Sequence, residues 1–473
     1  MPLRRIVGLL IAFAMQGAAM AENWTQFRGG TLQAVSGHDA PVRFEVPPSW
    51  KITIPAGNSS PIIWEDQLFI TGMVSNDLIT LCYDTKTGEM KWSQKVTATA
   101  LEKTHRLGNP ATPTPATDGA MVYSYFGSFG VVAYDMEGKA KWEHRLPTPM
   151  VEFGTGTSPL LWNDTLFLIV DQDQDSYLLA LDKKTGNQKW RVNRPEFRRG
   201  FASPIIWAQS NRTDLVVPGS IWLTGYDPET GKERWRVAGT SRVATSTPSC
   251  TSNLLVYCSW NVGGDSDSRV SMPEFGEFLK TNDKNGDGKL QFDELPSGVI
   301  KDRFTQMDFN KDGSVTGEEW TKMAEMFQKA ENSIFSIRAG GTGDITATHM
   351  IWKQTKHLSY VSSPLLYQGR IWSVKNGGML SCYDLLTGKA LVEAERLGAP
   401  GDYYASPVAA GDNLYFLSQQ GKMTIVRNTP ELSILGSHDF HEQTMATPAI
   451  AGRSIYLRGE KTLYCFKNEV ISK

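Results

Sequence analysis

The chain of 473 residues is nearly neutral, with 48 Lys and Arg against 50 Asp and Glu, and 40% of its residues are hydrophobic. A mean hydropathy of −0.31 is typical of a globular protein with a large core. This composition excludes a disordered chain, a basic nucleic-acid-binding protein and a polytopic membrane protein. We therefore expect no nucleic-acid partner.

The first 21 residues have the three parts of a signal peptide. Arg4 and Arg5 form a positive start, residues 6–15 form an apolar stretch, and Ala19-Met20-Ala21 gives a small-residue cleavage pattern. The apolar stretch is shorter than the ~20 residues that a membrane span needs. The sequence therefore predicts export to the periplasm or the extracellular space, with no membrane span after cleavage.

A Ser/Thr-Pro step recurs along the chain, in most copies followed by two short apolar strands. Its eight prolines are Pro61, Pro113, Pro159, Pro204, Pro248, Pro364, Pro407 and Pro448. The spacings are 52, 46, 45, 44, 116, 43 and 41 residues, so the long gap is one period plus roughly 70 extra residues. Short strands repeating every 40–50 residues are typical of a β-propeller. We predict an all-β fold with eight blades.

Most repeats also contain Asp, then a turn with Gly, then Trp four residues after the Gly. The copies are Asp84…Gly88…Trp92, Asp135…Gly138…Trp142, Asp182…Gly186…Trp190 and Asp227…Gly231…Trp235, and Asp384…Gly388 has Val392 in place of Trp. Asp accepts hydrogen bonds from its own turn, Gly adopts positive φ, and Trp packs between sheets. The last repeat lacks its Trp strand, and we expect Trp50 near the N-terminus to supply it.

These steps and turns, with the opening Asn-Trp-Thr-Gln-Phe-Arg-Gly at residues 23–29, resemble PQQ-like β-propeller repeat proteins. That family includes the propeller lipoprotein of the outer-membrane protein assembly machinery and, more distantly, the quinoprotein alcohol dehydrogenases. The resemblance implies a scaffold that binds protein partners, or a PQQ-dependent dehydrogenase that oxidises an alcohol or sugar. The sequence has no adjacent Cys pair and no haem attachment motif, which favours the scaffold.

The long gap holds an acidic segment, residues 265–331, which we call the insertion. It divides the predicted propeller into residues 22–264 and 332–473. Its 15 acidic and 9 basic residues accompany a change from strand to helical periodicity. Two twelve-residue loops of one form, 283–294 and 308–319, lie within it.

Both loops match the EF-hand pattern for calcium, a hard cation that binds six to eight oxygens. The predicted ligands at positions 1, 3, 5, 7 and 12 are Asp283, Asn285, Asp287, Lys289 (through its carbonyl) and Glu294, then Asp308, Asn310, Asp312, Ser314 (through its carbonyl) and Glu319. Gln291 and Thr316 occupy position 9, and Gly288 and Gly313 provide the turn at position 6. We expect two Ca²⁺ sites, a Leu290–Val315 pairing between the loops, and a capping box from Ser271 and Glu274 before the first helix.

Other polar clusters are weaker candidates. The acidic run at residues 171–175 lacks the turn of a calcium loop, so a solvated loop is favoured over a metal site. Four residues precede the first strands of their blades, which line the channel of a propeller: Arg198, Arg199, Tyr403 and Tyr404. They are therefore candidates for the channel mouth, where they could bind a small ligand. The alternative is that they are ordinary residues of the propeller rim. The sequence does not decide whether Cys250 and Cys258 form a disulfide. No residue pattern identifies a catalytic nucleophile or a PQQ site.

Overall fold

The computed structural model describes residues 23–267 and 269–468, and the predicted signal peptide lies outside them. Eight sheets with four-stranded antiparallel cores follow one another along the chain, each with neighbouring strands adjacent in sequence except at the insertion and the closing blade. The prediction of an all-β, eight-bladed propeller is confirmed. In each blade the strand that is named first lies innermost, next to the central channel, and the strand that is named last lies at the outer rim.

Blades one to four consist of the strands Ile62–Trp64, Gln67–Val74, Asp77–Asp84 and Met90–Thr97; Ala116–Thr117, Met121–Phe126, Gly130–Asp135 and Ala140–Arg145; Leu160–Trp162, Thr165–Val170, Tyr177–Asp182 and Gln188–Asn193; Ile205–Ala208, Thr213–Pro218, Trp222–Tyr226 and Glu233–Ala238. Blades five to eight consist of Ser249–Cys250, Leu254–Ser259, Ser333–Arg338 and Met350–Gln354; Leu365–Tyr367, Arg370–Lys375, Met379–Asp384 and Ala390–Arg396; Val408–Ala410, Asn413–Leu417, Lys422–Arg427 and Ile434–Asp439; Ala449–Ala451, Ser454–Arg458, Thr462–Lys467 and Trp50–Thr53. Two short strands add parallel edges, Gly343–Asp344 to blade four and Val35–Ser36 to blade seven.

The outer strand of blade eight comes from the N-terminal part of the chain. Trp50–Thr53 pairs antiparallel with Thr462–Lys467, and Trp50 stands opposite Cys465. This confirms the predicted closure, and it pairs a strand that would otherwise be an exposed sheet edge.

The repeated Trp residues bind the turn of the following blade. The Trp142 indole covers Gly186, where an added Cβ would come within 2.5 Å of the ring, and its N–H donates to the Lys183 carbonyl at 3.0 Å. Trp50, Trp92, Trp190 and Trp352 repeat this arrangement on Gly88, Gly138, Gly231 and Gly388. Each Gly has positive φ, so the turn requires Gly both for its backbone and for the close approach of the ring.

Trp235 departs from this pattern. Its indole N–H donates to the buried Asp214 carboxylate at 2.8 Å, and its ring lies against Gly225 of its own blade. The next blade carries the insertion and has no Asp-Gly turn to receive an indole, so Trp235 turns back into blade four.

The insertion lies between the second and third strands of blade five. Its helices are α1 (Phe275–Asn282), α2 (Phe304–Met307) and α3 (Gly317–Lys329), with 3₁₀ turns at Phe292–Glu294 and Lys301–Arg303 and two short strands at Leu290–Gln291 and Ser314–Val315; a fourth helix, α4 (Thr346–His349), follows within blade five. Leu290 pairs with Val315 as predicted. The expected capping box is wrong, because Glu274 itself is the N-cap of α1 and accepts from the Glu277 N–H.

Residues 23–36, which we call the N-terminal segment, run across the propeller and bond the inner strands of several blades. Trp24 bridges to Ile63, the Thr25 carbonyl accepts from the Thr117 N–H, and Gln26 accepts from the Leu161 N–H. Buried Arg28 donates to the Pro248 and Pro364 carbonyls and to Ser249. This segment therefore closes one end of the central channel.

The five cysteines of the chain are all free. Cys250 and Cys258 lie on adjacent strands of blade five without a bridge, so the disulfide left open by the sequence is not formed.

Candidate functional site: the channel and the insertion loops

A closed circuit of eight hydrogen bonds surrounds the central channel. In each blade one Ser or Thr precedes a proline, its backbone N–H donates to the hydroxyl of the next blade, and its own hydroxyl accepts from the previous blade. The members are Ser60, Thr114, Ser158, Ser203, Thr247, Ser363, Ser406 and Thr447, at N···O distances from 2.9 to 3.2 Å. We call this set the hydroxyl ring. The recurring Ser/Thr-Pro step therefore joins neighbouring blades.

In blade two the ring residue is Thr114, which precedes Pro115, whereas the sequence analysis placed the step at Pro113. The Thr112 hydroxyl instead donates to the Asn109 carbonyl in the preceding turn. The sequence does contain a signal that favours Pro115 over Pro113, because the spacings from Pro115 to the next three prolines of the repeat are a regular 44, 45 and 44 residues.

The hydroxyl ring borders a cavity of about 210 Å³ in the channel. Phe27 from the N-terminal segment also lines it, and the loops that enter the blades contribute Leu107, Phe153, Phe201, Val361, Tyr404 and Met445. None of the residues that line this cavity is an Asp, Glu, Lys, Arg or His.

This lining does not fit PQQ. PQQ is a tricarboxylate whose catalytic form binds a calcium ion, and both charges need partners when they are removed from water. The cavity offers hydroxyl and aromatic groups, with no cation for the carboxylates and no carboxylate for the metal or for a catalytic base.

One buried carboxyl lies just behind the cavity wall. Glu102 is 6% exposed, and its Oε2 accepts from the hydroxyl of Thr155 at 2.6 Å, whereas Oε1 has no hydrogen-bond partner among the described residues. Burial raises the pKa of Glu102 to about 7 against the opposing effect of the Thr155 hydrogen bonds. Glu102 therefore changes charge near neutral pH.

The two insertion loops share five hydrogen bonds at an offset of 25 residues. In the first loop, Asp283 Oδ2 accepts from the Gly288 N–H, Asn285 Oδ1 from the Asp287 N–H, and Asp287 Oδ1 from the Lys289 N–H. Glu294 Oε1 accepts from the Lys284 N–H, and its Oε2 accepts from the Gln291 N–H. The second loop repeats all five.

The predicted position-12 carboxylates are both buried. Glu294 and Glu319 are 5% and 7% exposed. Each accepts from an N–H near the start of its loop and from a second N–H in, or just after, the short strand of that loop. The predicted ligands at positions 3 and 5 also bond each other: Asn285 Nδ2 donates to Asp287 Oδ2 at 3.2 Å, and Asn310 Nδ2 donates to Asp312 Oδ2 at 3.1 Å. Each loop is thus curled around its own polar side chains.

Position 4 distinguishes the loops. Gly286 has φ of 74°, and Lys311 holds the same left-handed conformation at 60°. Across the described ranges, no three His, Cys, Asp or Glu side chains group closely enough to be recognised as a metal site. The loops therefore show the predicted ligands on one curled backbone without a converged carboxylate cluster.

The second loop is joined to the propeller through Asp173, which belongs to the acidic run of blade three. The Asp173 carboxylate is buried and pairs with Arg198 at 3.1 Å, with Arg199, and with Lys311 of the loop at 3.1 Å. The expectation of a solvated acidic loop is wrong here, since neighbouring Asp171 is equally buried in a two-bond pair with Arg194.

The two arginines also hold the insertion directly. Arg198 donates to the Gln306 carbonyl at 3.0 Å and lies 3.3 Å from the centre of the Phe309 ring, and Arg199 donates to the Thr305 carbonyl. From the next loop, Arg242 donates to Gln306 Oε1 at 2.9 Å. The arginines are therefore buried contacts between the propeller and the insertion, and they do not face the cavity.

The two tyrosines of the predicted mouth have separate places. Tyr403 is buried and donates to the Ala399 carbonyl, whereas Tyr404 lines the cavity. Of the four mouth candidates, only Tyr404 is placed at the channel cavity.

Comparison with known proteins agrees with this architecture. The sequence model of the family described as "Outer membrane protein assembly factor BamB" matches residues 49–191 and 80–263. The match covers blades one to four and the start of blade five, so PQQ-like repeats are shown for that part of the propeller. No protein of curated function matches the chain at a significant level.

Solved structures similar to this propeller include both classes of protein that the repeats resemble. BamB from Moraxella catarrhalis is 12% identical, with 90% of this chain and 99% of that chain covered and a TM-score of 0.53. A europium-containing methanol dehydrogenase is 11% identical, with 94% and 98% covered and a TM-score of 0.58. The quinohemoprotein alcohol dehydrogenase from Comamonas testosteroni is 12% identical, with 97% and 83% covered and a TM-score of 0.54. At these identities the likeness shows the fold alone.

Proposed function

We propose that this chain is an exported PQQ-like propeller that serves as a scaffold for protein partners and holds two calcium ions in an inserted EF-hand pair. The observation that carries the calcium assignment is the set of five hydrogen bonds repeated in both loops at one offset. Carboxylate, amide and carbonyl oxygens at those positions are the donors that Ca²⁺ prefers.

The residues that would hold the ions are the ten named from the sequence. Calcium supplies positive charge that offsets the carboxylates crowded into each loop. Asp287 and Asp312 already have pKa values below the ordinary range, because the Lys289 N–H and the Ser314 hydroxyl, respectively, donate to them. The chain itself contributes the preformed curl of each loop and the hydrophobic cluster beneath, in which Leu290, Val315 and Trp320 pack together.

Calorimetric titration of chelator-treated protein with CaCl₂ tests this assignment. Glu319→Gln removes a position-12 carboxylate, and Glu318→Gln is its matched control one residue away on the exposed side of α3. We expect two sites in the native chain, loss of one in Glu319→Gln and no change in Glu318→Gln. Equal calcium affinity in the two variants, or no calcium binding by the native chain, would overturn the proposal.

The match to the BamB family model supports the scaffold role. Together with the predicted signal peptide, it also supports export to the periplasm or the extracellular space. No helix of the described part of the chain is long and apolar enough to cross a membrane. A PQQ-dependent dehydrogenase is the alternative that the quinoprotein folds raise, and the uncharged cavity lining argues against it. Titration with PQQ in calcium and in chelator separates the two: calcium-dependent binding near one equivalent overturns the scaffold, and no heat in either condition supports it.

A further inference from the structure

The channel cavity has the features of a built binding site. All eight hydroxyl-ring residues border it, and each is 6% exposed or less, so their polar atoms are shielded from bulk water. Phe27 from the N-terminal segment and residues of the loops that enter the blades complete the lining.

The hydroxyl ring has unused hydrogen-bonding capacity. A Ser or Thr hydroxyl offers one donor and two acceptor positions. Each ring oxygen accepts one backbone N–H, and among the described residues none of the eight hydroxyls donates to a protein acceptor. Buried donors are costly to leave without partners, so a molecule in the cavity with oxygen acceptors would satisfy them.

Acceptor groups also face the same space. Asn58 uses its amide N–H₂ on the Leu107 carbonyl, which leaves Oδ1 as an acceptor, and the Tyr404 hydroxyl has no protein partner among the described residues. A fitting molecule therefore both donates and accepts hydrogen bonds.

The remaining walls are apolar or aromatic. Phe153 and Phe201 stand edge to face at 6.0 Å beside Leu107 and Met445. With no charged side chain in the lining, an ionised ligand would lose hydration without a counter-charge. The volume of about 210 Å³ lies below the ~300–1,000 Å³ of pockets for drug-sized ligands, so the ligand is smaller than these.

We propose that this cavity binds an uncharged, polyhydroxylated molecule of monosaccharide size. The hydroxyl groups of such a molecule pair with the hydroxyl ring, and its C–H faces pack on the aromatic walls. The assignment concerns a cavity separate from the insertion loops and does not depend on their calcium.

Titration of the native chain with D-glucose, D-galactose, D-mannose and mannitol, in calcium buffer, tests the proposal. D-gluconate and glucosamine provide charged counterparts of similar size. We expect saturable binding of at least one neutral probe and none of the charged ones. Absence of saturable binding by all four neutral probes, or stronger binding of gluconate, would overturn the assignment.

Two variants localise the binding. Thr114→Val removes one ring hydroxyl, and Thr80→Val removes a buried hydroxyl of the same kind that bonds Ser124 between blades one and two, away from the cavity. We expect affinity to fall about threefold to tenfold in Thr114→Val, as for one lost hydrogen bond, and to remain unchanged in Thr80→Val. If Thr114→Val does not fold, Tyr404→Phe replaces it with the same expectation. Unchanged affinity in the variant used places the ligand elsewhere and refutes the proposal.

Discussion

The backbone N–H of Thr447 in blade eight donates to Oγ of Ser60 in blade one at 3.0 Å, across 387 positions of sequence. This bond completes the hydroxyl ring, and no other member of the ring joins residues so far apart along the chain. The oxygen that accepts this bond belongs to a residue that is only 4% exposed.

We expect Ser60→Ala to lower the free energy of unfolding by about 1–3 kcal/mol, because it leaves the Thr447 N–H buried without an acceptor. Ser93→Ala, on the exposed face of the outer strand of blade one, is the control and should change it by less than about 0.5 kcal/mol. Urea unfolding measures both. Equal midpoints for the two variants would show that the closing bond contributes nothing.

The indole docking predicts different effects at two glycines of similar backbone conformation. Gly186 has φ of 73° and lies under Trp142, whereas Gly369 has φ of 76° and open space around its Cβ position. Substitution by Ala should cost about 1–2 kcal/mol at Gly369 from the left-handed backbone alone. At Gly186 an additional ~1–3 kcal/mol should appear, because the ring must move. Thermal unfolding of both variants gives the comparison, and equal losses would contradict the docking.

The Asp171–Arg194 pair is buried on both sides, with side-chain exposures of 0% and 1%. Asp171→Asn leaves the Arg194 charge without a carboxylate, so the free energy of unfolding should fall by about 3–5 kcal/mol. Asp164 pairs with Lys184 at 4.0 Å on the surface, and Asp164→Asn should cost at most about 1 kcal/mol. Denaturant titration that found similar losses would refute the structural role of the buried pair.

Glu102 predicts a pH dependence. Its pKa is about 7 in the folded chain and about 4.3 in an unfolded one, so the unfolded state loses this proton first as pH rises. The contribution of Glu102 to stability is therefore greatest below pH 4 and declines between about pH 4 and pH 7, by up to about 3 kcal/mol. Glu102→Gln should be more stabilising, or less destabilising, at pH 8 than at pH 4.5. Melting temperatures at both values check this, and a pH-independent difference would contradict it.

Calcium should affect the channel side of the propeller through the second loop. Lys311 and Phe309 contact Asp173 and Arg198, so an ion in loop 308–319 would restrain the segment that leads to Phe201. We expect hydrogen exchange in residues 196–201 to slow on adding calcium in the native chain and in Glu294→Gln. In Glu319→Gln this protection should be absent. The reverse pattern would assign the coupling to the first loop.

Much of the architecture could be predicted because its signals are local. The Asp84 turn is complete within four residues, where Oδ1 accepts from the N–H groups of Lys86 and Thr87, and it reads directly from the sequence. The insertion loops are similarly contiguous, so the proposed ligand positions could be assigned from the spacing alone.

The parts that could not be predicted depend on charges distant in sequence. Asp173 and Lys311 are 138 positions apart, and nothing in either local sequence indicates that they pair. The local sequence of the acidic run therefore predicts a solvated loop, although Asp171 and Asp173 are buried against arginines. The absence of charged side chains from the cavity lining also could not be predicted from the sequence, because it depends on which side chains of all eight blades reach the channel axis.

The strand Trp50–Thr53 has a consequence for synthesis. Its partner, Thr462–Lys467, is made more than four hundred residues later, a delay on the order of 20–80 s at ribosomal rates of ~5–20 residues per second. Blade eight therefore cannot form until the strand Thr462–Lys467 has been made. Truncation anywhere before residue 462 would leave the N-terminal strand without its antiparallel neighbour, so an incomplete chain exposes an unpaired strand that a protease can recognise.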